Sequence, residues 1–433
     1  PTRRSSDLRN PPCASAPTAG TGGGQDTQII VIDTSGAKKE DGTTDDVNAA
    51  ATITISGIDD GDAATTSGTG SKDTGASVTD LVTSDNTLSI FGVTTGFVSS
   101  DGAKVQVQIL DASNAVLRED YVTPDNAGKW TLDHSATTLT NGTYTLKAFI
   151  VDSAGNVVKT AASKPLIIDN SSATNQPNNS TDTNATASVT VLSIHDAAQG
   201  SLDTGASSTD FITSDGTLVI KGSTSGFTHT GATAGDQLRV DVSNSAGTVV
   251  VSQYVTPDSS GNWSIDNRAS VLADDKYTIS TTIVDLAGNT VKAGGTHALV
   301  VDTNKGGTDP GSNPDTAPTQ DDNATNASVV ISAVSADTGI STQDFITSDG
   351  TLVITGTVAN FVSTGGSAGD KVRVQVLSSD GSVVAEQYLT PTGNTWSFDN
   401  SAQSLSDGNY TLKAAVVDAA GNVVKAAADQ PLV

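Results

Sequence analysis

One unit recurs three times along this chain, and the recurrence limits the fold more than any other feature. The segment Asp73-Thr-Gly-Ala-Ser-Val-Thr-Asp-Leu-Val-Thr-Ser-Asp85 returns as Asp203-Thr-Gly-Ala-Ser-Ser-Thr-Asp-Phe-Ile-Thr-Ser-Asp215, and again as Asp337-Thr-Gly-Ile-Ser-Thr-Gln-Asp-Phe-Ile-Thr-Ser-Asp349. The tryptophans Trp130, Trp263 and Trp396 lie 133 residues apart, and a Val-Asp-x-Ala-Gly-Asn motif at Asp152, Asp285 and Asp418 keeps the same interval. Agreement over whole units is beyond what biased composition produces. The frame divides the chain into a segment 1–10 without counterpart, the tail of a preceding repeat at 11–34, a linker at 35–49, and repeats at 50–169, 188–302 and 328–433, with linkers at 170–187 and 303–327. Segment 1–10 reads as foreign or artefactual sequence and is set aside with Cys13. Ile29 to Asp33 matches Leu166 to Asp169 and Leu299 to Asp302, and the chain closes at Val433, short of the matching Asp. With no Met anywhere, these ends predict a window cut from a longer array.

Inside each unit the apolar residues repeat every second position, which marks strands. Leu238, Val240 and Val242 share one face, with Arg239 and Asp241 on the other, and Val105/Val107/Ile109 and Val372/Val374/Val376 repeat the pattern. The middle unit reads as seven strands near 188–194, 217–222, 238–243, 248–255, 261–265, 276–284 and 290–301, separated by Gly-, Asp- and Ser-rich turns. Seven short strands in one unit of this length predict an all-β chain of tandem immunoglobulin-like β-sandwiches. A single large solenoid would need a period of about 20–30 residues, which is absent. The linkers are rich in Asn, Thr, Asp and Pro and predict beads on a string.

Composition narrows the function. Of the 48 acidic residues only Glu40, Glu119 and Glu386 are Glu, so the negative charge is carried by a turn and capping residue rather than a helix former. A net charge of -26 argues against nucleic acid and anionic membranes as partners. No apolar run reaches the roughly 20 residues that span a bilayer, so direct membrane insertion is not expected. Residues 1–20 hold no apolar core of a signal peptide, and one cysteine excludes an internal disulfide framework.

The runs Gly261-Asn-Trp263-Ser-Ile-Asp266, Leu272-Ala-Asp-Asp-Lys-Tyr277-Thr-Ile279 and Val284-Asp285-Leu-Ala-Gly-Asn289 resemble bacterial immunoglobulin-like repeats. Such repeats build the stalks of large secreted or cell-surface adhesins, including biofilm proteins exported by type I systems. The resemblance implies an extracellular or bacterial cell-surface location. It also implies neighbouring repeats of the same chain as structural partners, and a host or matrix ligand gripped by domains outside this window.

Calcium is the cofactor this composition suits, because the ion takes six to eight hard oxygen ligands. The spacing of Asp73, Asp80 and Asp85 puts three carboxylates around one loop that leads into a strand, and the resemblance implies acidic loops near module ends as calcium sites. Carried across, the candidates are Asp73, Asp80 and Asp85, then Asp203, Asp210 and Asp215, then Asp337, Asp344 and Asp349. The same residues also suit plain turn capping, since Ser-Asp-Gly and Asp-Thr-Gly are both good turns. Asp152, Asp285 and Asp418 read as turn residues whose side chains accept backbone N–H groups of the Ala-Gly-Asn turn, and Asp101, Asp236 and Asp370 likewise as turn residues before a strand. The tryptophans read as core, and Tyr144, Tyr277 and Tyr410 as tyrosine corners.

Catalysis is not expected. His134, His195, His229 and His297 are scattered, the copies of His134 being Asn267 and Asn400, and no nucleophile elbow, zinc-protease motif or P-loop occurs. The reading is a structural stalk whose repeats project a binding head and which calcium stiffens. The alternatives are repeats that themselves grip a glycan or host protein, and spacers beside the catalytic domain of a secreted hydrolase. Similar loops in the three units favour the spacer.

Overall fold

The computed structural model describes residues 46–59, 73–99, 102–171, 174–175, 180–181, 184–196, 203–228, 235–303, 327–362 and 370–433. The segments 1–10 and 11–34, most of the 35–49 and 303–327 linkers, Asp101 and His229 lie outside them. The described residues are strands, turns and irregular backbone, without a helix. None therefore is a helix long and apolar enough to cross a membrane.

The middle repeat carries the seven expected strands: Ser188–Asp196, Leu218–Ser225, Gln237–Ser243, Val249–Val255, Asn262–Asp266, Asp275–Val284 and Thr290–Val301. A short eighth, Ile212–Thr213, lies in the Asp203 loop. One sheet is antiparallel, in the order Ser188–Asp196, Leu218–Ser225, Asn262–Asp266. The other runs Ile212–Thr213, Thr290–Val301, Asp275–Val284, Gln237–Ser243, Val249–Val255, with only the first pair parallel. The outer repeats have the corresponding two sheets, but their last strand is broken in two, Val157–Thr160 with Lys164–Ile168 and Val423–Ala426 with Gln430–Leu432, and among the described residues only the first keeps a short parallel strand, Val82–Thr83, like Ile212–Thr213.

The period of two is why these sheets face each other. Leu238, Val240 and Val242 are fully buried, while Arg239 and Asp241 on the outer face pair at 2.9 Å. Each full burial of a Val or Leu is worth about 1.5–3 kcal/mol, and each repeat assembles its own core from its own residues. Three cores make three modules.

The largest core residue needs the smallest partner. Gly222 stands opposite Trp263 across the first sheet, and a Cβ at Gly222 would overlap both the indole ring and the Thr190 carbonyl oxygen. The pair recurs as Gly92 with Trp130 and Gly356 with Trp396. A bulge between Val191 and Ser193 puts Leu192 on the solvent side, with equivalents at Ile55/Gly57 and Ile331/Ala333. The tyrosine hydroxyls donate to the carbonyl four residues upstream: Tyr144 to Thr140 at 2.7 Å, Tyr277 to Ala273 at 2.8 Å and Tyr410 to Ser406 at 2.8 Å. These are the corners expected from the sequence.

Candidate calcium loop and inter-repeat junction

The Asp-Thr-Gly loop begins where the chain must turn from one sheet to the other. Asp73 Oδ2 accepts the Leu81 amide at 2.8 Å, Asp203 Oδ2 accepts the Phe211 amide, and Asp337 Oδ2 accepts the Phe345 amide at 3.1 Å. The three amides belong to residues in the left-handed region, with φ of 59°, 62° and 61°. That conformation costs a residue with a Cβ roughly 1–2 kcal/mol. It turns Leu81, Phe211 and Phe345 into their cores, and the carboxylate hydrogen bond is what holds it.

The candidate carboxylates divide into two groups. Asp80 lies against Asp73, and Asp210 against Asp203. Asp80, Asp210 and Asp344 each also accept an amide two residues on, from Val82 at 3.1 Å, Ile212 at 3.2 Å and Ile346 at 3.3 Å. Asp85, Asp215 and Asp349 instead accept both the amide and the hydroxyl of Thr87, Thr217 and Thr351, at 2.6–2.9 Å. The loop thus brings two of each three predicted carboxylates together in the first two repeats, while the third caps the following turn. Among the described residues no group of three or more His, Cys, Asp or Glu assembles into a metal-binding cluster.

The paired carboxylates still suit a cation. Oδ1 of Asp73, Asp203 and Asp337 is buried without a hydrogen-bond donor. Burial is the chief reason the Asp73 carboxyl is pushed up to about 6 and that of Asp203 to about 7, with the charges of Asp80 and Asp210 adding to it against the amide bonds. Burial likewise raises Asp210. Two facing carboxylates with an undonated oxygen take either a shared proton or a cation.

The next residues of the loop do something the sequence reading did not anticipate: they touch the following repeat. Thr74 Oγ1 donates to the Ala287 carbonyl, 213 residues on, and Thr204 Oγ1 donates to the Ala420 carbonyl at 2.7 Å. Both acceptors lie in the Val-Asp-x-Ala-Gly-Asn turn of the next repeat. In return Asn289 Nδ2 donates to the Asp169 carbonyl at 2.7 Å, and Asn422 Nδ2 to the Asp302 carbonyl at 2.8 Å. Gly75 and Gly205 lie so close to the turn that a Cβ on either would overlap the Leu286 or Ala419 carbonyl oxygen. Glycine is required twice over, because φ is +94° and +91° there.

The turn is built for this contact. Asp285 Oδ1 accepts the Asn289 amide at 2.8 Å, and its Oδ2 holds Asn289 Nδ2 at 2.8 Å, the local role expected from the sequence. That grip aims the remaining amide hydrogen of Asn289 at the preceding repeat, and Asp418 and Asn422 repeat it. Burial pushes the Asp285 carboxyl up to about 6 against those two bonds, and the nearby charge of Asp169 raises it further. Ala287 and Ala420 are buried at 1% exposure, while the matching Ala154 of the first repeat is exposed. Neighbouring modules therefore meet directly as well as through a linker. The usable signal in the sequence was the recurrence of both motifs with their glycines. It went unread because each motif has a sufficient local explanation.

Residues 62–170, 188–303 and 324–431 each match the bacterial Ig-like domain family. No curated protein matches the chain. Similar solved structures include a tetra-tandem repeat in the extending region of a large adhesion protein, at 21% identity over 88% of this chain and 74% of that one, with a TM-score of 0.18. The BSP domain of a biofilm-associated protein is similar at 12% identity over 80% of this chain and 63% of that one, with a TM-score of 0.18. The FN1–FN3 domains of chicken CNTN1 are similar at 9% identity over 80% of this chain and 94% of that one, with a TM-score of 0.27.

Proposed function

This chain belongs to the bacterial Ig-like domain family, and from that premise we infer that it is a load-bearing spacer of a secreted or cell-surface adhesin. Its repeats hold one another end to end and carry a binding head away from the cell. The observation that carries this reading is the recurring junction. The same threonine, glycine and asparagine contacts link repeat one to repeat two and repeat two to repeat three. A module that served only as a ligand-binding unit would have no need to meet its neighbours the same way twice. The negative charge supports the spacer role by keeping neighbouring arrays apart.

Calcium belongs to this proposal. Asp73 with Asp80, and Asp203 with Asp210, are the residues that would hold it, and Asp337 with Asp344 are their third-repeat counterparts. The ion would supply positive charge to carboxylates that burial leaves uncompensated. Because Asp73 and Asp203 directly precede the threonines that touch the next repeat, a loop fixed by a cation would hold the junction more firmly.

Electron-spin distance measurement between labels at Ser113 and Ala246, equivalent exposed turns of the first two repeats, tests this with Cys13 replaced. A narrow distance distribution in calcium that broadens in chelator is expected. A narrow distribution in both conditions would remove calcium and leave the stiff spacer. A broad one in both would overturn the spacer held by its junctions.

A further inference from the structure

Each repeat ends its larger sheet on a strand of seven residues: Val116–Val122, Val249–Val255 and Val383–Leu389. Among the described residues each of these strands pairs with one neighbour only, so its outer side offers backbone N–H and C=O groups to a strand from outside. Large apolar side chains are exposed on all three: Val116 and Leu117, Val249 and Val250, Val383 and Val384. The edges differ in charge. Glu119 stands at the midpoint of the first and Glu386 at the midpoint of the third, and these are the only two Glu in the three repeats. Their register partners are neutral, Gln108 and Gln375, whose side-chain amides donate to them at 2.7 and 2.5 Å. In the middle repeat the arrangement is reversed. Ser252 holds the edge position and donates to Asp241 Oδ1 at 2.7 Å, and Asp241 pairs with Arg239 at 2.9 Å one strand further in. The edge Val249-Val-Val-Ser252-Gln-Tyr-Val255 therefore carries no charge, in a chain whose net charge is -26.

We propose that Val249–Val255 pairs antiparallel, edge to edge, with the same strand of a second copy of this chain, joining two arrays side by side at their middle repeats. Register and charge together select this occupant. Two identical strands of seven residues overlap in full only when the middle residue lies on the two-fold axis, opposite itself. In the middle repeat that register sets Ser252 opposite Ser252, Val250 opposite Tyr254 and Val249 opposite Val255, and aromatic with β-branched pairs stabilise a ladder. In the outer repeats it sets Glu119 opposite Glu119 and Glu386 opposite Glu386, and like charges directly opposite destabilise one. Arg118 would lie opposite Asp120 across the same axis, but it already holds Asp120 of its own strand at 2.6 Å, so little is gained there to set against Glu119. A foreign strand could meet either Glu with a neutral or basic residue. Only self-pairing always sets carboxylate against carboxylate, so the charge pattern distinguishes a second copy from other occupants. Elsewhere the net charge holds two arrays apart, which confines their contact to this edge and makes it tighten as salt screens the repulsion.

The test is sedimentation equilibrium of the whole chain, carrying Cys13→Ser to remove thiol cross-links, at concentrations up to the millimolar range and at low and high salt. A monomer–dimer equilibrium that tightens with salt is expected. Hydrogen exchange of segment 249–255 should slow as the dimer fills, while segments 116–122 and 383–389 keep their rates. Two variants place charge at the axis without stranding Asp241. Ser252→Lys gives Asp241 a cationic partner and sets lysine against lysine in the dimer. Asp241→Gln with Ser252→Glu gives the middle repeat the pair found in the outer ones and sets glutamate against glutamate. Each alone should weaken the dimer by about fivefold or more. Mixing the two should restore it as a heterodimer, because lysine then faces glutamate, a rescue that a folding defect would not show. A chain that stays monomeric at every concentration and salt overturns the proposal. So does a dimer that both charge variants leave unchanged, or one whose slowed exchange lies outside 249–255.

Discussion

Gly205 separates what a junction contributes from what a backbone conformation costs. In Gly205→Ala the new methyl lies at φ +91° and runs into the Ala419 carbonyl oxygen of the third repeat. In Gly339→Ala it lies at φ +103° in open space. The two variants share a conformational cost of roughly 1–2 kcal/mol, felt within one loop. Only the first must push two modules apart, with loss of the hydrogen bonds from Thr204 to Ala420 and from Asn422 to Asp302, 2.7 and 2.8 Å long. At about 0.5–1.5 kcal/mol each, they amount to roughly 1–3 kcal/mol. Since about 1.4 kcal/mol is a factor of ten in an equilibrium constant, the opening equilibrium at the junction should shift by on the order of tenfold to a hundredfold. Hydrogen exchange with peptide-level readout is the assay. Gly205→Ala should speed exchange both in its own loop and in the turn around Asp418 to Asn422, more than 200 residues away in the chain. Gly339→Ala should leave that turn unchanged. If Gly205→Ala leaves the Asp418 turn at its original rate, the two repeats are not coupled there and the reasoning is wrong.

The pH dependence of the middle repeat follows from Asp203. Its carboxyl is raised from 3.8 to about 7 in the folded chain, mainly by burial. Between about pH 4 and 7 the folded state therefore binds more protons than the unfolded one, and stability in chelator falls as pH rises, by at most roughly 4 kcal/mol from this group. Asp203→Asn should flatten that slope in urea titrations run at several pH values, and millimolar calcium should flatten it too, because a cation favours the ionised form. Gly222→Ala should destabilise the middle repeat by roughly 1–3 kcal/mol or more through overlap with Trp263. A Trp263→Leu partner should recover part of that loss in a double-mutant cycle by thermal unfolding. Tyr277→Phe removes the hydroxyl bond to Ala273 and should cost about 0.5–1.5 kcal/mol by the same assay, without altering exchange at either junction.

Much of the fold was legible because its cause is local. Alternation such as Leu238, Val240, Val242 is a direct consequence of strand geometry, and a turn such as Leu286 to Asn289 carries its signal in adjacent residues. Tyr277 was readable for the same reason, its bond spanning four residues. The short strand Ile212–Thr213 was not, since its existence depends on parallel pairing with Val300 and Val301, a partner about ninety residues on. Nor was the left-handed Phe211, a conformation no propensity favours and which Asp203 holds from eight residues away. The candidate site was half legible. The pairing of Asp203 with Asp210 followed from spacing along one loop, whereas Asp215 belongs to the next turn, and three-in-a-row spacing does not separate those outcomes. The junction was illegible for a different reason. Thr204 and Ala420 are ordinary turn residues, and only the relative placement of two separately folded modules brings them within 2.7 Å.

The division of each repeat into two sheets also decides how it bears tension. The first strand, Ser188–Asp196, is hydrogen-bonded only within the three-stranded sheet, and the last, Thr290–Val301, only within the five-stranded one. A pull on the two ends of a repeat thus has no continuous hydrogen-bonded ladder to follow. It must cross from sheet to sheet through packed side chains such as Ile194, Trp263 and Leu299. The interior of each sandwich becomes the fuse of the array, and stretching should lengthen it in discrete steps of one repeat at a time.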